Sequence, residues 1–118
     1  MITGWTTTHK MIFTMAWLYL LLGGIFEIGW PLGFKLAAGS QHKIAFIGLS
    51  VASMALSGLF LYLAQRTIPI GTAYAVWTGI GAIGTLTIGI VFFDDPAGFM
   101  RLLSALLIVA GIIGLKVF

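Results

Sequence analysis

Four long apolar runs, separated by short polar breaks, organise this 118-residue chain. The first extends from about Ile12 or Trp17 to about Leu36 and stops at Gly39-Ser40-Gln41-His42-Lys43. The second runs from about Ile44 to Ala64 and is closed by Gln65-Arg66-Thr67-Ile68-Pro69. The third spans about Gly71 to Phe93, ahead of Asp94-Asp95-Pro96-Ala97-Gly98, and the fourth covers about Met100 to Phe118. Each is close to the ~20 residues that cross about 30 Å of hydrocarbon as a helix. Backbone in lipid has no water to bond, so the spanning segments are helical. Pro69 lies just ahead of the third run, where its missing N–H is harmless. The short breaks make successive helices antiparallel. The predicted fold class is an all-α membrane protein of four transmembrane helices.

Polar residues inside the runs are few, and Glu27 is the only acidic one. A charged side chain at the bilayer centre costs about 2.5–3.5 kcal/mol on insertion scales, and such groups are retained mainly for function. Helical spacing gathers Gly23, Glu27 and Trp30 on one face, with Gly24 beside Glu27. Pro31 removes the N–H that would bond the Glu27 carbonyl, so a kink is expected to begin at the acidic residue. Lys35, two turns further on, is expected to snorkel to the headgroups. The second run carries Ser50, Ser53 and Ser57 at i, i+3, i+7, a stripe suited to helix packing or to lining a site. The third carries Tyr74, Trp77, Thr78, Gly81 and Thr85. Its two aromatic residues fit a site or the interfacial belt. Gly79 and Gly81, with Gly84, permit either a hinge or close packing. Ser104 and Gly111, one heptad apart on the fourth run, suit a dimer seam.

Composition agrees with the pattern. The chain is 60% hydrophobic and 8% charged, against about 25% charged in soluble domains. Six basic residues against three acidic ones, widely scattered, exclude a nucleic-acid surface. There is no cysteine, and His9 and His42 lie in polar flanks, so neither a metal site nor a cofactor is expected. One buried carboxylate without a nucleophile–base pair offers no reaction, and an enzyme is not expected.

Charge also bears on orientation. Four crossings put Lys10, Arg66 and Lys116 on one side and Lys35, Lys43 and Arg101 on the other. Orientation follows a Lys/Arg excess on the cytoplasmic side, and here there is none. The chain is therefore expected to insert both ways up and to assemble as an antiparallel homodimer. Two inverted copies would mimic the inverted repeats of larger transporters and bring two Glu27 carboxyls to one midplane site.

Residues 1–14 read as a polar N-terminal extension to a single transporter domain over 15–118. Met15 is an alternative start. Cleavage as a signal peptide is disfavoured, because the first apolar run is longer than an h-region and holds Glu27.

Three stretches resemble the small multidrug resistance family of proton-coupled exporters, and within it the guanidinium-exporter branch. They are Gly24-Ile25-Phe26-Glu27-Ile28-Gly29-Trp30, the run from Pro69 to Gly84, and Gly111-Ile112-Ile113-Gly114-Leu115-Lys116. The resemblance implies that Glu27 is the carboxylate shared by substrate and protons. It implies that Gly24 and Trp30 line the site and that Ser57 hydrogen-bonds the glutamate. Tyr74 and Trp77 match the aromatic pair, and Gly79 and Gly81 the bend of the third helix. The chain departs from the family pattern in its extension, in Pro31, and in Asp94-Asp95 where Gly-Glu or a similar pair is expected. The function implied is export of guanidinium and small guanidinyl cations across a bacterial inner membrane, with protons competing for Glu27. Planar guanidinium presents N–H pairs in a fork that fits a carboxylate, and the rings of Trp30, Trp77 and Tyr74 offer faces to a delocalised cation. The alternatives are export of quaternary ammonium and other drugs by the same family, a passive cation channel with Glu27 in a charged ring, and a structural subunit.

Overall fold

The computed structural model describes residues 2–118, with side chains from residue 7 onward. It contains α1 (Ile2–Ala38), α2 (Lys43–Gln65), α3 (Ile70–Phe92) and α4 (Phe99–Val117), the four helices expected from the apolar runs. All four have the length and composition of membrane spans. At 1.5 Å per residue, the 23-residue α2 and α3 reach about 35 Å. The 37 residues of α1 reach about 55 Å, more than the hydrocarbon needs. That helix begins earlier than hydropathy alone places it and continues through the segment that polarity sets apart.

The breaks between helices have local causes. The Pro69 carbonyl accepts the Ala73 N–H at 2.9 Å to start α3. At the far end of α3, Asp94 adopts φ 55°, and the N–H groups of Phe93 and Asp95 both return to the Gly89 carbonyl at 3.0 Å. This is a left-handed C-cap, a position that usually holds glycine. It explains the Gly-Glu pair expected here, and Asp is among the residues that tolerate the conformation.

Glycines and serines let the helices approach. On the α1–α2 contact, a Cβ on Gly23 would lie 3.2 Å from the Phe60 Cβ, and one on Gly29 would lie 2.8 Å from the Ser53 Cβ. Ser50, Ser53 and Ser57 are all buried there, and Ser50 donates to the Trp30 carbonyl at 2.9 Å. Phe26 and Phe60 stack nearly parallel with centroids 5.7 Å apart. On the α1–α3 contact, Gly24 lies under Ile80, Gly81 under Glu27 and Gly84 under Ile28. An apolar core of Ala16, Leu20, Ala64, Ile68, Ala73 and Val76 closes one end of this three-helix unit. Among the described residues α4 packs its backbone against α3 alone, reaches α1 only through side chains such as Lys116, and buries none of its own residues. Lys35 lies over the Phe93 ring and Lys116 over the Trp17 ring, each at 5.6 Å. These contacts put Lys35 at the α3–α4 loop and Lys116 beside the N-terminal part of α1, the opposite ends assigned from the crossings.

Candidate functional site

Glu27 sits mid-helix on α1, half-buried, where α2 and α3 both come close. Helical spacing sets Trp30 one turn further, and its indole N–H donates to Glu27 Oε1 at 2.6 Å. The other carboxylate oxygen, Oε2, accepts from the Ser57 hydroxyl of α2 at 2.8 Å. Ser57 in turn accepts the Trp77 indole N–H of α3 at 2.8 Å. The Ser57 hydroxyl also lies 2.8 Å from the Gly23 carbonyl. Three helices thus converge on one carboxylate through a continuous chain of hydrogen bonds.

Gly81 makes the convergence possible. A Cβ there would stand 2.7 Å from Glu27 Cγ and 3.0 Å from Glu27 Cβ. Those atoms are near the root of the side chain, where movement requires a new rotamer. Gly81→Ala is therefore expected to leave the helices assembled while displacing the carboxylate from Trp30 and Ser57. Affinity for a cation at this carboxylate should fall at least about tenfold, the equivalent of one hydrogen bond to a charged group, with unchanged far-UV circular dichroism.

Glu27, Trp30 and Trp77 line a cavity of about 280 Å³ together with Met54 and Gly58. Met54 and Gly58 are exposed, so the cavity has its rim at the surface of the protomer. Its lining suits a cation. An ionised carboxylate has about four acceptor positions, and the protein supplies one donor to each oxygen. The remaining positions match two parallel N–H groups of a guanidinium fork.

The other residues named from sequence are distributed as follows. Gly24 is buried, and a Cβ there would lie 2.5 Å from an Ile80 methyl, so it faces α3 and lies outside the wall of this cavity. Tyr74 is 56% exposed; its ring lies 5.4 Å from that of Trp77, on the outer side of the site. Gly79 packs toward Ile108 and Ile112 of α4, and α3 passes through Gly79 and Gly81 as continuous helix. Ser104 is exposed and bonds the Met100 carbonyl at 2.8 Å; the space beside Gly111 is open. Sequence reasoning missed Met54 and Gly58. They lie one turn before and one residue after Ser57, on the exposed flank of the buried serine stripe. It also treated Trp30 as a ring face, whereas its indole N–H is the donor to Glu27.

Comparison with known proteins gives consistent matches. The family model described as Small Multidrug Resistance protein matches residues 15–108. A guanidinium exporter of Yersinia pseudotuberculosis is 46% identical over 102 residues, covering 86% of this chain and 97% of its own length. Guanidinium exporters of Citrobacter freundii and Salmonella typhimurium are each 48% identical over 102 residues, covering 86% of this chain and 96% of theirs.

Proposed function

The chain belongs to the small multidrug resistance family, and we propose that it exports guanidinium and small guanidinyl cations in exchange for protons. It is a multi-pass membrane transporter rather than an enzyme. The observation that carries the substrate reading is the Glu27 carboxylate, held by one donor on each oxygen with its remaining lone pairs free for a planar fork. The guanidinium exporters that resemble it over most of its length support the same substrate. Trp30 and Trp77 border the cavity and present indole surface to the cation.

Exchange follows from competition. Protons and cation use the same oxygens, so one must leave before the other binds. The exposed rim of the cavity and the unburied α4 support assembly as an antiparallel homodimer, a second inverted copy closing the site, with Tyr74 facing it and Ser104 and Gly111 at an α4 seam. The glycine pair Gly79 and Gly81 would serve as the pivot of α3 between inward- and outward-open forms. In this reading residues 15–118 form the transporter domain, residues 1–14 extend it, and the location is the bacterial inner membrane.

The test is binding and transport against pH. Guanidinium binding is expected to weaken as acidity rises, because a proton bound at Glu27 removes the cation's acceptor. Proteoliposomes with a proton gradient should accumulate guanidinium against its own gradient, with tetraethylammonium transported far less. Affinity indifferent to pH would remove the competition; guanidinium flux that only dissipates its gradient would make the chain a channel.

A further inference from the structure

Ser57 has more partners than hydrogens. Its hydroxyl carries one O–H and two acceptor lone pairs. Trp77 occupies one lone pair. The single hydrogen has two acceptors at the same distance, Glu27 Oε2 and the Gly23 carbonyl, both 2.8 Å away. Ser57 is fully buried, so water does not settle the competition. The protonation of Glu27 does. An ionised carboxylate is the stronger acceptor, since charge-assisted bonds are roughly twice as strong as neutral ones. A protonated Glu27 becomes a donor toward the free lone pair of Ser57, and two donors cannot point at one another.

We propose that the Ser57 hydroxyl is a two-position sensor of what Glu27 holds, donating to Glu27 while the carboxyl is ionised, alone or paired with a cation, and to the Gly23 carbonyl when it carries a proton. Proton and cation thereby leave different signatures at the α1–α2 contact although they share a site. The change needs only rotation of the hydroxyl hydrogen. Trp77 pins the oxygen in both states, and every buried polar atom keeps a partner, which avoids the cost of an orphaned group. Ser57 is a positioning residue in this scheme. The groups facing Glu27 are Trp30 of α1, Met54, Ser57 and Gly58 of α2, and Trp77 and Gly81 of α3. None of these is charged, so within one protomer the proton in this scheme is the one held by Glu27. The inference rests on the exporter reading only in requiring Glu27 to take up a proton.

Gly23-Gly24 is the only Gly–Gly pair in the sequence. Full-length protein in lipid bilayers, made with carbonyl-13C and amide-15N glycine, therefore gives a carbonyl–nitrogen correlation that belongs to Gly23 alone. Acidification is expected to move the Gly23 carbonyl signal downfield as it gains the Ser57 bond. Guanidinium at high pH should leave it at the ionised position. Ser57→Thr should retain the movement, Ser57→Ala should lose it, and Glu27→Gln should fix the signal across the same pH range. A Gly23 signal that ignores acidification in the unsubstituted protein, or that moves equally in Ser57→Ala or Glu27→Gln, overturns the proposal. Guanidinium affinity, measured separately by tryptophan fluorescence, tests the substrate reading. Its absence beside a proton-dependent Gly23 signal would remove the exporter assignment and leave the sensor standing.

Discussion

Glu27→Gln abolishes guanidinium–proton exchange and leaves the four-helix fold in place: this is the largest effect expected of any single substitution. The two halves of the statement have separate causes. Glutamine has the volume of glutamate, and its amide oxygen can accept from Trp30 while its amide nitrogen donates toward Ser57. The α1–α2–α3 contacts therefore survive. What disappears is the charge. A cation brought to a half-buried site without its counter-charge keeps the desolvation cost and loses the attraction, about 3–5 kcal/mol for buried pairs. At 1.4 kcal/mol per tenfold, guanidinium affinity should drop by at least about a hundredfold. No proton is exchanged, because the amide does not titrate. Solid-supported membrane electrophysiology should record no guanidinium-evoked current in the variant, while circular dichroism and thermal unfolding match the unsubstituted protein. Full currents in the variant would mean that another group carries the charge.

Much of this site could be read from residue order, and the reason is physical. Lipid removes water as a hydrogen-bonding partner, so a carboxylate in an apolar run must be met by donors from neighbouring helices. Glu27, Trp30, Ser57 and Trp77 are the polar side chains at matching depth. Periodicity grouped them by helix face, and hydrogen bonds join them in the folded chain. It did not say how far each helix is rotated against its neighbours. Gly24 and Glu27 share a face of α1, yet Gly24 lies against Ile80 while Glu27 points between α2 and Trp77. Tyr74 and Trp77 are one turn apart, yet Tyr74 is exposed. The serine stripe divides in the same way: Ser50 bonds the Trp30 backbone, and Ser57 alone reaches the carboxylate. These differences are set by glycine contacts, such as Gly81 beneath Glu27, that only the assembled helices define. The beginning of α1 was illegible for another reason, since polarity marks where a helix leaves lipid and not where its hydrogen bonds start.

The second large effect concerns orientation. Gln41→Cys should be modified by a membrane-impermeant thiol reagent from both faces of the membrane, about half of the molecules from each. Gln41 is the suitable position because it is exposed and because the neighbouring Ser40 hydroxyl holds the His42 N–H at 3.0 Å. The chain has no native cysteine to interfere. The argument is electrostatic. Lys35 and Lys116 lie at opposite ends of the folded unit, Arg101 bonds the Pro96 carbonyl in the α3–α4 loop, and Arg66 follows α2 at the other end. With three basic residues at each end, the Lys/Arg rule gives neither end a preference for the cytoplasm. Adding two lysines beside Gln41 should break the balance and leave labelling on one face. If the homodimer is antiparallel, those single-orientation chains should lose exchange, because an inverted partner is no longer made. Co-expression with a chain carrying two extra lysines next to Arg66 should restore it. Labelling of the unaltered-charge protein from one face alone would show that some other feature fixes orientation, and a parallel pair would then have to close the Glu27 cavity.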